Sequence, residues 1–209
     1  LMMLSTAIRS TSRLVRRRGN TRAFSSPAPS SHAASSHGGL SELFNPTEDH
    51  AQLRSMMRTF VEREVSPQAH SHDRTETFNL SLFRKLGAEL GILGLTVPEQ
   101  YGGAGLEDAA AVALVHEELS YGDPAFCLSY LAHSVLFVNN LARNGSHEQK
   151  LRFLPGACDG TKVGGMCMSE PDAGTDVLGM KSRAVYDPDA GGWVLNGTKM
   201  WITNGTLTG

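Results

Sequence analysis

From Asn45 onward, apolar residues recur every three or four positions. Leu53, Met56, Met57, Phe60, Val61 and Val65 share one helical face. The spacing predicts a helix capped by Asn45, with Pro46 in its first position and Glu48 three residues after the cap. Pro67 is expected to end it. Phe78, Leu82, Phe83, Leu86 and Leu90 make a second stripe, closed by Gly91. Residues 91–105 (GILGLTVPEQYGGAG) are rich in helix breakers and read as turns. Two further helices are expected over 107–121 and 124–143, separated by Gly122-Asp123-Pro124. Ser146 with Gln149 forms a capping box for a short helix ending at Pro155-Gly156.

The period changes at Thr161. Val163 to Met168 is a short apolar run read as a strand, and SRAVYD (182–187) is strand-like. Trp193-Val194-Leu195 leads into Asn196-Gly197, a strong hairpin signal, with Thr198 to Thr203 as the returning strand. Helices followed by strands imply an α+β chain, the β part holding three or four strands. So short an open sheet has unpaired edges.

Hydrophobic residues at 40% and charged residues at 19% indicate a globular chain. No run of 18 or more apolar residues occurs, which argues against a transmembrane helix. Cys127, Cys158 and Cys167 lack metal-ligand spacing, which argues against a zinc site and a disulfide framework. The net charge of −2 conceals an asymmetry. Residues 1–40 carry six arginines and no acid, leaving 13 Lys+Arg against 21 Asp+Glu in the rest. The acidic globular part argues against nucleic acid as its partner.

On a helical wheel, Met3, Leu4, Ala7, Ile8, Leu14 and Val15 oppose Arg9, Arg13, Arg16 and Arg17. An Arg- and Ser-rich, acid-free amphipathic start has the composition of a mitochondrial transit peptide, with processing expected after Phe24. The alternative is a basic tail that binds RNA or lipid. Residues 25–43 read as a low-complexity linker. The chain begins at Leu1 rather than Met and stops at Gly209 directly after a strand-like run. Both ends have the look of a fragment.

No GxSxG, Walker A, HExxH or strand-linked GxGxxG motif occurs. His116 and His133 lie on helices and read as core or interface residues rather than bases. Met166-Cys167-Met168-Ser169-Glu170-Pro171-Asp172-Ala173-Gly174-Thr175-Asp176 is a run of small residues and hydroxyls. Its backbone N–H groups, with Ser169 and Thr175, suit an acceptor-rich ligand such as a flavin pyrimidine or a phosphate. Equally, Ser and Asp there can cap the loop's own turns. On a strand, Trp201 and Thr203 share a face opposite Ile202 and can hold a flat heteroaromatic ring. A core tryptophan beside a surface threonine is the plainer alternative.

MSEPDAGTD and KMWITNG together resemble the two flavin-binding signatures of the acyl-CoA dehydrogenase family, in order and in separation. LGILGLTVPEQYGGAGL, HEELSYGDPAFCLSY and AHSVLFVNNLARNGSHEQKLRFLPGACDG are similar to its N-terminal helical domain. The resemblance covers about residues 44–209, and LSYLAHS with RNG is most similar to the isovaleryl-CoA type within the family. It implies a helical domain over 44–157 and the beginning of an antiparallel β domain over 161–209, with the family's C-terminal helical domain absent.

It further implies FAD as cofactor and an acyl-CoA as substrate. Met166, Cys167, Met168, Ser169, Gly174 and Thr175 would line the flavin, with Ser169 on the pyrimidine. Trp201 would pack on the ring beside Ile202, and Thr203 would reach N5. Thr175, Leu128 and Leu131 would face the acyl thioester, Leu131 standing where isovaleryl-type relatives place a small residue. The implied reaction is α,β-dehydrogenation in leucine breakdown, with electrons passing to electron transfer flavoprotein from a homotetramer in the mitochondrial matrix. The catalytic glutamate of the family matches no residue here, so the chain alone is expected to be inactive. An acyl-CoA oxidase or other paralogue is the alternative enzyme. A non-catalytic helical interaction module is the alternative outside enzymes.

Overall fold

The computed structural model describes residues 45–207. The amphipathic arc of residues 1–18, the processing point after Phe24 and the linker at 25–43 lie outside the described residues.

The first helix, α1 (Glu48–Phe60), begins two residues later than the sequence suggests, because Thr47 rather than Asn45 is the cap. The Thr47 side chain accepts the His50 amide, and Asn45 Oδ1 instead accepts Arg54 Nε at 2.9 Å. Pro67 does not end the helix. A π turn over Val61–Val65 precedes it, and α2 (Ser66–Thr75) continues the same rod. The wider turn accommodates a residue that lacks an N–H and crowds the preceding carbonyl. α3 (Leu80–Ala88) follows, capped by Asn79, and Gly91 at φ +68 turns the chain into two short 3₁₀ turns, Ile92–Gly94 and Glu99–Tyr101.

α4 (Ala109–Gly122) and α5 (Pro124–Tyr130) meet at Asp123, whose carboxylate caps α5 ahead of Pro124. A π segment, Leu131–Asn139, carries α5 into α6 (Asn140–Asn144). The continuous helix Pro124–Asn144 is long and apolar enough to cross a membrane by length and composition. Here Phe126, Cys127, Tyr130, Ala132 and Val138 are buried within the fold. α7 (His147–Cys158) has the expected Ser146–Gln149 capping box but runs through Pro155. Leu154, Ala157 and Cys158 are buried beside Val97, Tyr101 and Val138, so the last turn gains more from packing than it loses with one hydrogen bond.

The main core joins Met57, Val61 and Val65 of the first rod to Val115 and Leu119 of α4, Phe83 and Leu86 of α3, and Phe126 and Tyr130 of α5. One charged group sits inside it. Glu118 is fully buried and binds Arg54 at 2.6 Å and also Arg58. Arg54 reaches Glu117 as well, at 2.8 Å. Burial pushes the Glu118 carboxyl up, but the Arg58 and Arg54 guanidiniums outweigh it and hold the group below the ordinary range.

Beyond Thr161 the expected strands at 182–187 and 193–195 form, and the others do not. Among the described residues there are two, β1 (Arg183–Asp187) and β2 (Gly192–Asn196), paired antiparallel from Arg183↔Asn196 to Asp187↔Gly192. Their turn is Pro188 to Gly191, and the hairpin expected at Asn196-Gly197, between β2 and 198–203, does not form. Asp187 Oδ1 accepts the amides of Asp189 and Ala190, and Gly191 takes φ +61. Thr198 to Thr203 does not return as a strand, and Val163 to Met168 joins no ladder.

Candidate functional site

The two passages singled out from sequence meet at their polar groups. Lys199 Nζ donates to the Met168 carbonyl at 3.1 Å and to Glu170 Oε1 at 2.8 Å, and the Met200 amide donates to the Ser169 carbonyl at 3.0 Å. Glu170 and Ala173 exchange backbone hydrogen bonds around Pro171-Asp172. The Glu170 carboxylate also accepts the Lys181 and Ser182 amides at 2.6 and 3.0 Å. Lys199, with Ser182 and the Lys181 amide, pulls the Glu170 carboxyl down to about 2. Asp172 pairs with Lys181 at 2.8 Å, and Asp176 accepts the Gly179 amide at 3.2 Å. The acids of this loop are therefore engaged in holding it.

Trp201 is not on a strand face. It has φ +57, a left-handed conformation costly for a bulky side chain, and the residue is 85% exposed. The alternation that placed Trp201 and Thr203 together does not apply. Ile202 and Thr203 are half-buried in a turn closed by the Gly205 amide on the Ile202 carbonyl. In the first passage Met166 and Ser169 are half-buried, whereas Cys167, Met168, Gly174 and Thr175 are exposed. Leu128 is exposed and Leu131 half-buried on either side of Ser129. The Ser129 carbonyl is reached by the Asn204 amide at 3.0 Å, which brings the turn to that helix.

The extended run between these parts is held by side chains. The Gly164 amide donates to His133 Nδ1 at 2.9 Å, so His133 Nε2 carries its proton to the Ala157 carbonyl at 2.9 Å. His133 is a core residue, as its helical setting suggests. A Cβ on Gly164 would stand 1.9 Å from the Phe137 ring, and one on Gly165 would stand 2.6 Å from the Thr203 carbonyl. Both positions need glycine for that close approach. Sequence reasoning missed Lys199 and Asn204. The Glu170–Lys199 charge complementarity was a signal for the first, and no local pattern marks the second.

Burial pushes the His133 pKa down, with the Ala157 carbonyl acting the other way and the Gly164 N–H, which needs an unprotonated Nδ1, also favouring the neutral ring. Its neutral form is favoured in the fold, so stability is complete above the unfolded pKa of about 6.5 and falls as pH drops through it. The unfolding midpoint is expected to decline between about pH 7 and pH 5, ahead of the carboxylate-linked loss of Glu118 at lower pH. His133→Gln should flatten that upper limb. An unchanged limb would locate the acid sensitivity elsewhere.

Trp201 and Met168 are exposed, Ser169 and Thr203 are half-buried, and the Met200 amide on the Ser169 carbonyl joins the two passages. Such a surface fits a flat heteroaromatic ring with polar edges. Burial pushes the Cys127 and Cys158 thiols up to about 11 and about 12, which leaves both unreactive.

Residues 47–161 match the acyl-CoA dehydrogenase N-terminal domain, and residues 165–209 match the middle domain. The chain belongs to the acyl-CoA dehydrogenase family. It is 43% identical over 165 residues to mitochondrial isovaleryl-CoA dehydrogenase of Solanum tuberosum, covering 78% of this chain and 39% of that relative. The acyl-CoA dehydrogenase fold agrees with solved structures. Glutaryl-CoA dehydrogenase from Mycobacterium smegmatis has TM-score 0.72 and 34% identity, with 78% of this chain and 41% of that chain covered. An acyl-CoA dehydrogenase complexed with FAD from Bacillus anthracis has TM-score 0.68 and 34% identity, over 77% of this chain and 27% of that chain. The chain thus spans about two fifths of the length of the curated relative it matches. The expected α+β class stands, as a mostly helical unit with a short antiparallel two-stranded sheet.

Proposed function

We propose that this family member holds FAD between the Met166–Thr175 loop and the Trp201–Thr203 turn, as part of an acyl-CoA dehydrogenase. The observation that carries this reading is the Lys199 and Met200 link, which brings two distant passages into one surface. Met166, Cys167, Met168, Gly174 and Thr175 line the ring, Ser169 serves its pyrimidine edge, and Trp201 with Ile202 covers it. Bound flavin would supply a hydride acceptor, and Thr203 is the hydroxyl that would hydrogen-bond it.

The substrate is a short branched acyl-CoA of the isovaleryl type, oxidised to 3-methylcrotonyl-CoA in leucine breakdown. Leu128, Leu131 and Thr175 face it, and Leu131 sets the depth of the acyl pocket. Electrons leave to electron transfer flavoprotein from a homotetrameric enzyme in the mitochondrial matrix. Residues 1–24 are the import signal, 25–43 the linker, 44–157 the helical domain and 161–209 the flavin-binding β portion. Identity to a mitochondrial isovaleryl-CoA dehydrogenase supports substrate and compartment alike.

Dehydrogenation also needs a base within hydrogen-bond reach of the α-proton. Glu170, Asp172 and Asp176 are spent on the loop, so these residues bind and orient and do not abstract the proton. Purified protein is expected to bind FAD. Thr203→Val should weaken FAD by about two- to tenfold, the worth of one hydrogen bond of roughly 0.5–1.5 kcal/mol. Equilibrium titration measures it. Equal affinity in both proteins would assign Thr203 to the turn alone.

A further inference from the structure

Asn204 combines features that a loop residue rarely has together. It is 8% exposed, and its backbone is left-handed at φ +66. Its amide nitrogen donates to the Ser129 carbonyl at 3.0 Å and to the Gly164 carbonyl at 3.1 Å. Both partners are acceptors, so the nitrogen must face them, and both amide protons are used. Ser129 belongs to α5, just before the π segment, whereas Gly164 lies in the extended run. One side chain therefore ties three separate stretches of chain.

Gly164 is pinned through both of its backbone polar groups. His133 takes its N–H, Asn204 takes its C=O, and Phe137 closes over its Cα. A strand neighbour would ordinarily satisfy those groups. Asparagine also suits the position because it tolerates the left-handed region better than other side chains. Trp201 and Thr203 precede it in the same turn, where the Gly205 and Leu207 amides close on Ile202 and Asn204.

We propose that Asn204 is a positioning residue that anchors the Trp201–Thr203 turn to the helical unit through the Ser129 and Gly164 carbonyls, and so fixes where the indole and hydroxyl stand. This rests on the flavin reading above. Asn204→Gly keeps the φ +66 backbone at no steric cost and removes both donors. Asn204→Asp keeps shape and turn preference but sets a carboxylate against two carbonyls.

The test uses the whole chain carrying Trp193→Phe, so that Trp201 is its one indole. Both Asn204 variants should speed amide exchange over 200–207 and shift Trp201 emission, while the helices keep their exchange rates. FAD affinity should fall by about tenfold, the fold-change expected for one to two hydrogen bonds. Unchanged exchange and emission in both variants would overturn the proposal. So would uniformly faster exchange across every helix, because that marks a general stability role. If the parent protein fails to bind FAD, the flavin reading falls, and the local exchange and emission changes alone decide the anchoring.

Discussion

Glu118→Ala is expected to lower the unfolding free energy by about 3–5 kcal/mol, the usual cost of breaking a buried ion pair from one side. The Glu118 carboxylate is wholly enclosed and is shared by Arg54 and Arg58. Its removal leaves two guanidiniums facing an apolar pocket between α1 and α4. Arg54 keeps Glu117 and Asn45. Arg58 can turn toward water, since its side chain is 42% exposed. The lower end of the range therefore applies. Glu118→Gln keeps the shape but loses the charge, and should fall between parent and alanine variant. Urea unfolding followed by helical circular dichroism measures this, and a loss under about 1 kcal/mol would place the pair among ordinary surface salt bridges.

Gly164→Ala is the second large effect. The new methyl would stand 1.9 Å from Phe137 Cδ1, a ring atom that cannot swing clear as a flexible side-chain tip would. Relief requires moving the ring or the extended run. Either displaces the His133 and Asn204 contacts to this residue. A cost of about 1–3 kcal/mol is expected from the overpacking alone. FAD affinity should drop in parallel, because the Thr203 carbonyl lies against the neighbouring Gly165. Pairing Gly164→Ala with Phe137→Ala should recover part of the stability, and no recovery would mean the clash is not the cause.

The helical half is legible because its determinants are local. Asp123 with Pro124 and Ser146 with Gln149 are start signals within four residues, and the stripes of α1 and α3 repeat inside one element. Errors arise where a local signal is overridden. Thr47 wins over Asn45 as cap, and Asn196-Gly197 makes no hairpin because Lys199 is drawn to Glu170 instead of into a returning strand. Pro155 looks like a stop because burial of Ala157 and Cys158 beyond it is not a local property, and Pro67 because the π turn ahead of it leaves no mark in the apolar spacing.

The candidate site shows the opposite case. Its residue types are legible in MSEPDAGTD and KMWITNG, but its geometry is not. A strand through Trp201 is the natural local reading, yet Lys199 is drawn to Glu170 across 29 positions and Asn204 to Ser129 across 75. Those contacts bend the run into a turn and leave the indole exposed. Periodicity cannot report a bond between residues so distant in sequence.

The most direct measurement is Trp201 emission in the Trp193→Phe chain as FAD is added. Trp193 lies on the hairpin and packs edge-on against Tyr186, so phenylalanine preserves that pair while clearing the signal. Saturable quenching, weaker in Thr203→Val, is the result expected if the loop and the turn hold the flavin. Emission that falls only linearly with FAD, without saturation and alike in both proteins, would contradict it.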